Sequence, residues 1–228
     1  MTNQTQSRFV TEESLVAEFV DFLLKTKNTS FDILREFEGG FGRPDLLLYE
    51  PPFEEISRDI ESLASINPRF APLLSIATAK TIFSLESLQV ATGVSKYSAR
   101  RIVSELSKIG RLKMDDATQQ TFKINPVLKP PFRQVVAIEA KLSDWRRALI
   151  QAYRYLQFSN ESWVLLDQKS ASSAQKKGDT FKSCGVGLAS FSTNGVLYVH
   201  FPAKNRAWSN GILAWRTQAL LARSLNSL

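Results

Sequence analysis

The chain has 228 residues, 43% of them hydrophobic, and a formal net charge of +7. That size and composition allow one or two domains with a sizeable core and argue against disorder. The single cysteine, Cys184, excludes an internal disulfide and a thiolate zinc cluster, and the single histidine, His200, excludes a His-rich metal site, so any metal is expected on oxygen ligands.

The first residues, "MTNQTQSRFVTEES", are polar and lack the apolar core of a signal peptide, and no run of about 18 uncharged apolar residues is present to span a bilayer, which predicts a cytoplasmic protein. Positive charge favours a polyanionic partner. "TEESLVAEFVDFLLKTK" offers Thr11 as a cap and repeats apolar side chains at Leu15, Phe19, Phe22 and Leu23, the pattern of an amphipathic helix that also carries Glu18. In "FDILREFEGGFGRPDLLLYE" two short strands, 31–37 and 45–49, flank a turn rich in Gly39, Gly40 and Gly42.

Beyond "EPPFEEISRD" residues 67–126 read as a separate unit, with helices expected near 70–82, at 85–92 and at 96–109. Gly93 supplies a turn between the last two and Ser95 a cap for the third. "SLESLQVATGVSKYSARRIVSELSKIGRL" resembles the winged helix-turn-helix of bacterial DNA-binding proteins. Its second helix would turn Ile102, Val103, Leu106 and Ile109 to the core and leave Lys96, Tyr97, Arg100, Arg101 and Lys108 as polar positions. The resemblance implies that this helix enters the major groove of duplex DNA, with Lys and Arg meeting phosphates. "GRLKMDDATQQTFKIN" would be the wing, turning near Asp116; Glu105 and this acidic turn run against the basic trend.

"NPVLKPPF" suits a domain boundary, and strand 135–141 follows. Alternation sends Val136, Ile138 and Ala140 one way and Val135, Ala137, Glu139 and Lys141 the other, with Glu139 and Lys141 about 7 Å apart along the strand. Two charges on an inward face cost free energy unless paired, solvated in a cleft or bound to a metal. Asp45 follows Pro44 at the start of an apolar strand. Its carboxylate and that of Glu139 suit one Mg²⁺, and Lys141 beside them suits a group that orients or helps deprotonate a water, which together would hydrolyse a phosphodiester.

Pro44 and Asp45, followed by Glu139, Ala140 and Lys141, are similar to the motif of the PD-(D/E)XK nuclease superfamily, which includes restriction endonucleases and archaeal Holliday junction resolvases. The resemblance implies an α/β, restriction endonuclease-like core: a central mixed sheet flanked by helices. It assigns catalysis to Asp45, Glu139, Lys141 and Gln151, and metal binding to Asp45 and Glu139 with an acid of the first helix, Glu18, ahead of Glu13 and Asp21. Tyr155, four residues after Gln151 on the same helical face, would support them. Arg43 either contacts the scissile phosphate or lines the turn. The order of helix, hairpin, Glu-x-Lys strand, helix and strand 162–167 agrees with that core.

The departure is the 93 residues between Asp45 and Glu139, which the winged helix-turn-helix, inserted at 67–126, accounts for, leaving a core of 1–66 and 127–228. The function expected is a Mg²⁺-dependent endodeoxyribonuclease, with Mn²⁺ as substitute, acting on double-stranded DNA at the nucleoid. A DNA-binding regulator that keeps the fold without cleaving, and a subunit of a larger restriction, recombination or transposition complex, are the alternatives; a homodimer and a partner subunit both stay open.

In the remaining chain, "DQKSASSAQKKGDTFKSC" is expected to be a polar loop, "KSCGVGLASFSTNGVLYVHFPAK" two strands turning at Asn194 and Gly195, and "SNGILAWRTQALLARSL" a helix. His200 and Cys184 are expected to be structural. "EGGFGRPD" lacks the Lys-Ser/Thr that would make it a nucleotide phosphate loop.

Overall fold

The computed structural model describes residues 8–26, 30–39, 42–51, 57–68, 74–75, 82–108, 112–114, 121–124, 130–209 and 211–225. In chain order these form α1 (Glu12–Lys25), β1 (Asp32–Arg35), β2 (Leu46–Tyr49), α2 (Ser57–Ser65), β3 (Phe83–Ser84), α3 (Leu85–Thr92), α4 (Lys96–Lys108), β4 (Leu112–Met114) and β5 (Thr121–Ile124). There follow β6 (Val135–Lys141), α5 (Trp145–Tyr155), β7 (Glu161–Asp167), a 3-10 turn (Gln168–Ser170), α6 (Ser172–Gln175), α7 (Gly178–Cys184), β8 (Gly187–Phe191), β9 (Leu197–Phe201) and α8 (Ile212–Leu225). The chain divides into two compact units, one of Met1–Pro51 with Gln134–Trp208 and the other of Pro52–Arg133 with Ser209–Leu228.

The first unit is α/β. Its mixed sheet has the order β1-β2-β6-β7-β8-β9, with β6, β7 and β8 parallel and the other neighbours antiparallel. The expected hairpin forms, Asp32 standing opposite Tyr49. Because β6, β7 and β8 are parallel, each connection must cross over, and α5 and α7 do so on one face. That face is filled by Trp145, Leu149, Phe181, Val164, Leu166 and Leu188. On the other face α1 lays Leu15, Val16, Phe19 and Val20 over Leu46, Leu48, Ile138, Ala140 and Leu165. Residues i and i+1 of each central strand therefore meet different helices, and both must be apolar; this is why these strands read as continuous hydrophobic runs. At the start of α1 the Thr11 hydroxyl accepts from the Ser14 N–H and the Ser14 hydroxyl accepts from the Thr11 N–H, a reciprocal cap that fixes where the helix begins.

Residues 168–184 form the 3-10 turn, α6 and α7 joined by short turns, which corrects the expected loop. Ala171, Ala174 and Phe181 recur at helical spacing and are fully buried, so two alanines and one phenylalanine hidden among lysines and serines decide the conformation. The β8–β9 turn does fall at Gly195, at φ 77°.

In the second unit Gly93 ends α3 in the left-handed conformation, at φ 67°, and the Ser95 hydroxyl accepts from the Ser98 N–H to start α4. Ala99, Ile102 and Leu106 are buried and Val103 is half-buried. β3, β5 and β4 pair antiparallel. Ile109, the turn near Asp116 and most of the helix expected near 70–82 lie outside the described residues. The unit's limits differ from the expected 67–126. Residues 52–66, 127–133 and 209–228 join it, because α8 packs on α2 and the buried Gln218 side chain accepts from the Phe132 N–H (3.0 Å) and donates to the Phe132 carbonyl (2.7 Å).

Candidate functional site

Register brings the two halves of the first unit's sequence to one point. β2 and β6 pair with Leu46 opposite Ile138, and the same antiparallel register carried one residue further sets Asp45 opposite Glu139. Directly opposed side chains have Cβ atoms about 4.5–5.5 Å apart. The Ala140 N–H donates to Asp45 Oδ2 at 2.7 Å, fixing the carboxylate against the strand. Glu139, 1% exposed, has one oxygen 3.0 Å from Lys141 Nζ, while the other accepts from the Tyr155 hydroxyl at 2.7 Å.

The Lys141 ammonium is ringed by oxygen. Besides Glu139 it lies 3.1 Å from Glu12 Oε2, 2.9 Å from the Ala140 carbonyl oxygen and 3.8 Å from Asp45 Oδ2. Its three protons are thus matched by the first three acceptors, and Asp45 acts on it through charge alone. Burial disfavours the ammonium, but the hydrogen bond and charge of Glu139, then Asp45 and Glu12, outweigh it and hold its pKa above the usual lysine value. Burial pushes Asp45 up, against the opposing Ala140 hydrogen bond and Lys141 charge. Burial likewise raises Glu139, with Tyr155 and Lys141 pulling the other way. Tyr155 is raised by burial and then by Glu139, so it stays a protonated donor.

Tyr155 occupies this position because of a glycine. Its hydroxyl also lies 3.2 Å from the Arg43 carbonyl oxygen, and a Cβ on Gly42, whose φ is 118°, would stand 2.7 Å from the Tyr155 ring. Only glycine permits both that backbone angle and that approach. Gln151, one helical turn before Tyr155, hydrogen-bonds it through its side chain and keeps a buried Oε1 that has no protein partner. The Arg43 guanidinium donates to the Glu36 carbonyl and carboxylate, so the side chain pins the turn while the backbone meets Tyr155. Beside Asp45 a cleft of about 470 Å³ opens, lined also by Glu12, Glu13, Val16, Arg35 and Glu36.

The structure therefore gathers Asp45, Glu139, Lys141, Gln151 and Tyr155. Glu18 is not brought to them, a correction to the expected ligand set. It lines a separate depression with Asp21, Phe22 and Lys25. Six residues of helix move a side chain about 9 Å along the axis and about 120° round it, so α1 presents only one of Glu12 and Glu18 to the site. The α1 acid that does reach the cluster is Glu12, through Lys141, and its signal in the sequence was its place in the first turn, immediately after the cap. His200 accepts or donates at 2.8 Å with the Ser190 hydroxyl, and Cys184 packs partly against the α5–α7 core.

Among the described residues no group of three or more Asp, Glu, His or Cys side chains is arranged to hold a metal ion. The donor set does suit a hard cation: Asp45, Glu139 and the Ala140 carbonyl already surround a positive charge with oxygen, and Mg²⁺ is commonly held by one or two carboxylates with waters completing the shell. In the second unit Lys96, Tyr97, Arg100 and Arg101 are exposed on α4, and the side chain of Lys108 lies outside the described residues. No described helix is long and apolar enough to cross a membrane. Comparison of the chain with protein-family models, curated proteins and solved structures gives no match.

Proposed function

We propose that the first unit is a metal-dependent endodeoxyribonuclease of the PD-(D/E)XK kind and that the second presents a winged helix-turn-helix to duplex DNA. One observation carries this reading: three separate stretches of chain, α1, the residue before β2, and β6, send Glu12, Asp45, Glu139 and Lys141 to a single point beside an open cleft. Burial that raises the pKa of Asp45 and Glu139 disfavours their charged forms in the fold, and such costs concentrate where chemistry needs them.

Asp45 and Glu139 would hold Mg²⁺, with the Ala140 carbonyl facing the same point. When bound, the ion lowers the pKa of a coordinated water and offsets charge on the phosphoryl oxygens. Lys141, protonated in this arrangement, would exchange one of its three present acceptors for a phosphate oxygen or an attacking water to hold it in line. Tyr155 fixes the rotamer of Glu139, and Gln151 presents its free Oε1 to a water or substrate donor.

Supercoiled plasmid with the full chain and Mg²⁺ or Mn²⁺ tests the proposal. Nicked or linear product is expected, lost with chelator and reduced by about 10³-fold or more in Asp45→Ala and Lys141→Ala. Undiminished cleavage by either variant, or none with either metal, would overturn it. The ammonium already satisfying the carboxylates also favours a second reading, a DNA-binding protein that keeps the fold without cleaving. Duplex binding with no cleavage under either metal decides for that one.

A further inference from the structure

The cleft beside Asp45 is a poor place for a polyanion to land by itself. Four of its lining side chains are carboxylates, Glu12, Glu13, Glu36 and Asp45, and of the two nearby arginines Arg43 is paired with Glu36. Nucleic-acid affinity is dominated by cations that displace condensed counterions from phosphates. The attraction that offsets this repulsion must come from elsewhere on the unit.

α5 provides it. A depression of about 530 Å³ is lined by Asp144, Arg146, Arg147, Ile150, Gln151 and Arg154. A second of about 400 Å³ shares Asp144 and Arg146 with it and continues to Ser172, Ser173, Lys176 and Lys177. The two form one concave track with five cations against one acid, and Asp144 already accepts the Arg147 N–H as the helix cap. All five cations are exposed, and among the described residues none of them is in an ion pair. The track also reaches the site. Arg147, Gln151 and Tyr155 follow one another at four-residue spacing on α5, so Arg147 stands about 12 Å along the helix from the tyrosine that holds Glu139. Gln151 belongs to both, lining the track and hydrogen-bonding Tyr155.

We infer that this track, Arg146, Arg147 and Arg154 on α5 with Lys176 and Lys177 beyond, binds the phosphodiester backbone of duplex DNA and delivers it to the acidic site. The inference rests on DNA being the substrate and adds that the first unit has its own backbone-binding surface, separate from α4. Over about 12 Å a duplex presents several phosphates, so neighbouring cations can each meet one. Guanidiniums suit this task because they bind phosphate bidentately.

The test measures binding of a fluorescein-labelled 30-base-pair duplex by anisotropy, in chelator so that nothing is cleaved, using the full chain. The variants Arg147→Ser with Arg154→Ser, and Lys176→Ser with Lys177→Ser, remove exposed charge without touching the core, and a thermal melt checks that each folds. Each pair is expected to weaken binding by about tenfold or more and to reduce the slope of log K against log salt by about 0.9 for every phosphate no longer neutralised. Unchanged affinity and slope in both pairs would overturn the inference. So would equal loss of binding to heparin of matched charge together with no preference for the duplex, since that marks a general polyanion surface. A folded wild type that never cleaves, yet loses duplex affinity in these variants, sinks the nuclease assignment and leaves the track standing; cleavage unaffected by the variants does the reverse.

Discussion

Lys141 stays protonated because oxygen surrounds it, and this sets what each neighbour can do. Asp45 and Glu139 have pKa values raised by burial, so above the ordinary carboxylate range they are charged at a cost to the folded state. The sign follows: the native state binds more protons than the unfolded one there, and stability falls as pH rises from the ordinary carboxylate pKa through the raised one. Replacing Asp45 by Asn keeps an oxygen to accept the Ala140 N–H and removes the charge. Asp45→Asn is therefore expected to abolish cleavage while raising Tm by about 2–4 °C at neutral pH, measured by calorimetry. Lys141 has the opposite linkage. Its raised pKa contributes stability that is present below the usual lysine value and is lost as pH climbs through the raised one. Tyr155 supplies Glu139 with a hydrogen bond that lowers its pKa. Tyr155→Phe should push Glu139 further up, move the acid limb of the cleavage–pH profile to higher pH and reduce the rate about 10–100-fold. An unmoved acid limb would show that Glu139 does not titrate in the activity.

At the scale of elements, α1 separates two acids that the sequence presents alike. Its buried stripe of Leu15, Val16, Phe19 and Val20 fixes the rotation of the helix on the sheet, and that rotation sends Glu12 to Lys141 and Glu18 to a different depression. Glu12→Gln is expected to reduce cleavage by about tenfold or more, and Glu18→Gln to leave it within about twofold; steady-state rates on one duplex check both. The turn between β1 and β2 is equally specific. At Gly42 an alanine would need a left-handed angle and would meet the Tyr155 ring, so Gly42→Ala should cost roughly 1–3 kcal/mol in chemical denaturation and shift the tyrosine from Glu139.

Across the whole molecule the charge is unevenly divided. The net charge of +7 is not spread evenly, for the cleft is acidic while α5 and α4 carry exposed cations. If the second unit locates duplex and the first cuts it, Lys96→Ser with Arg100→Ser should raise the DNA concentration for half-maximal cleavage about 10–100-fold and leave the saturated rate within about twofold. A fall in the saturated rate instead would place α4 in the chemistry.

The local chemistry of the chain determined most elements without the structure. The Thr11 cap, the hairpin around the glycines, the Gly93 and Ser95 punctuation and the apolar run of β6 are set by neighbours within a few residues, which is why they were legible. The Pro-Asp and Glu-x-Lys motifs named the acids and the lysine for the same reason, since residue type at fixed spacing survives any packing. Tertiary structure alone decided the rest. Residues 168–184 looked like a loop because only Ala171, Ala174 and Phe181 among many polar residues seek the core, and so few apolar side chains give a weak signal until a sheet is there to cover them. Glu12 rather than Glu18 meets the lysine because helix rotation depends on side chains of β2 and β6 far away in sequence. The convergence of Asp45 on Glu139 depends on strand register, a relation between two residues with 93 others between them that no local pattern encodes.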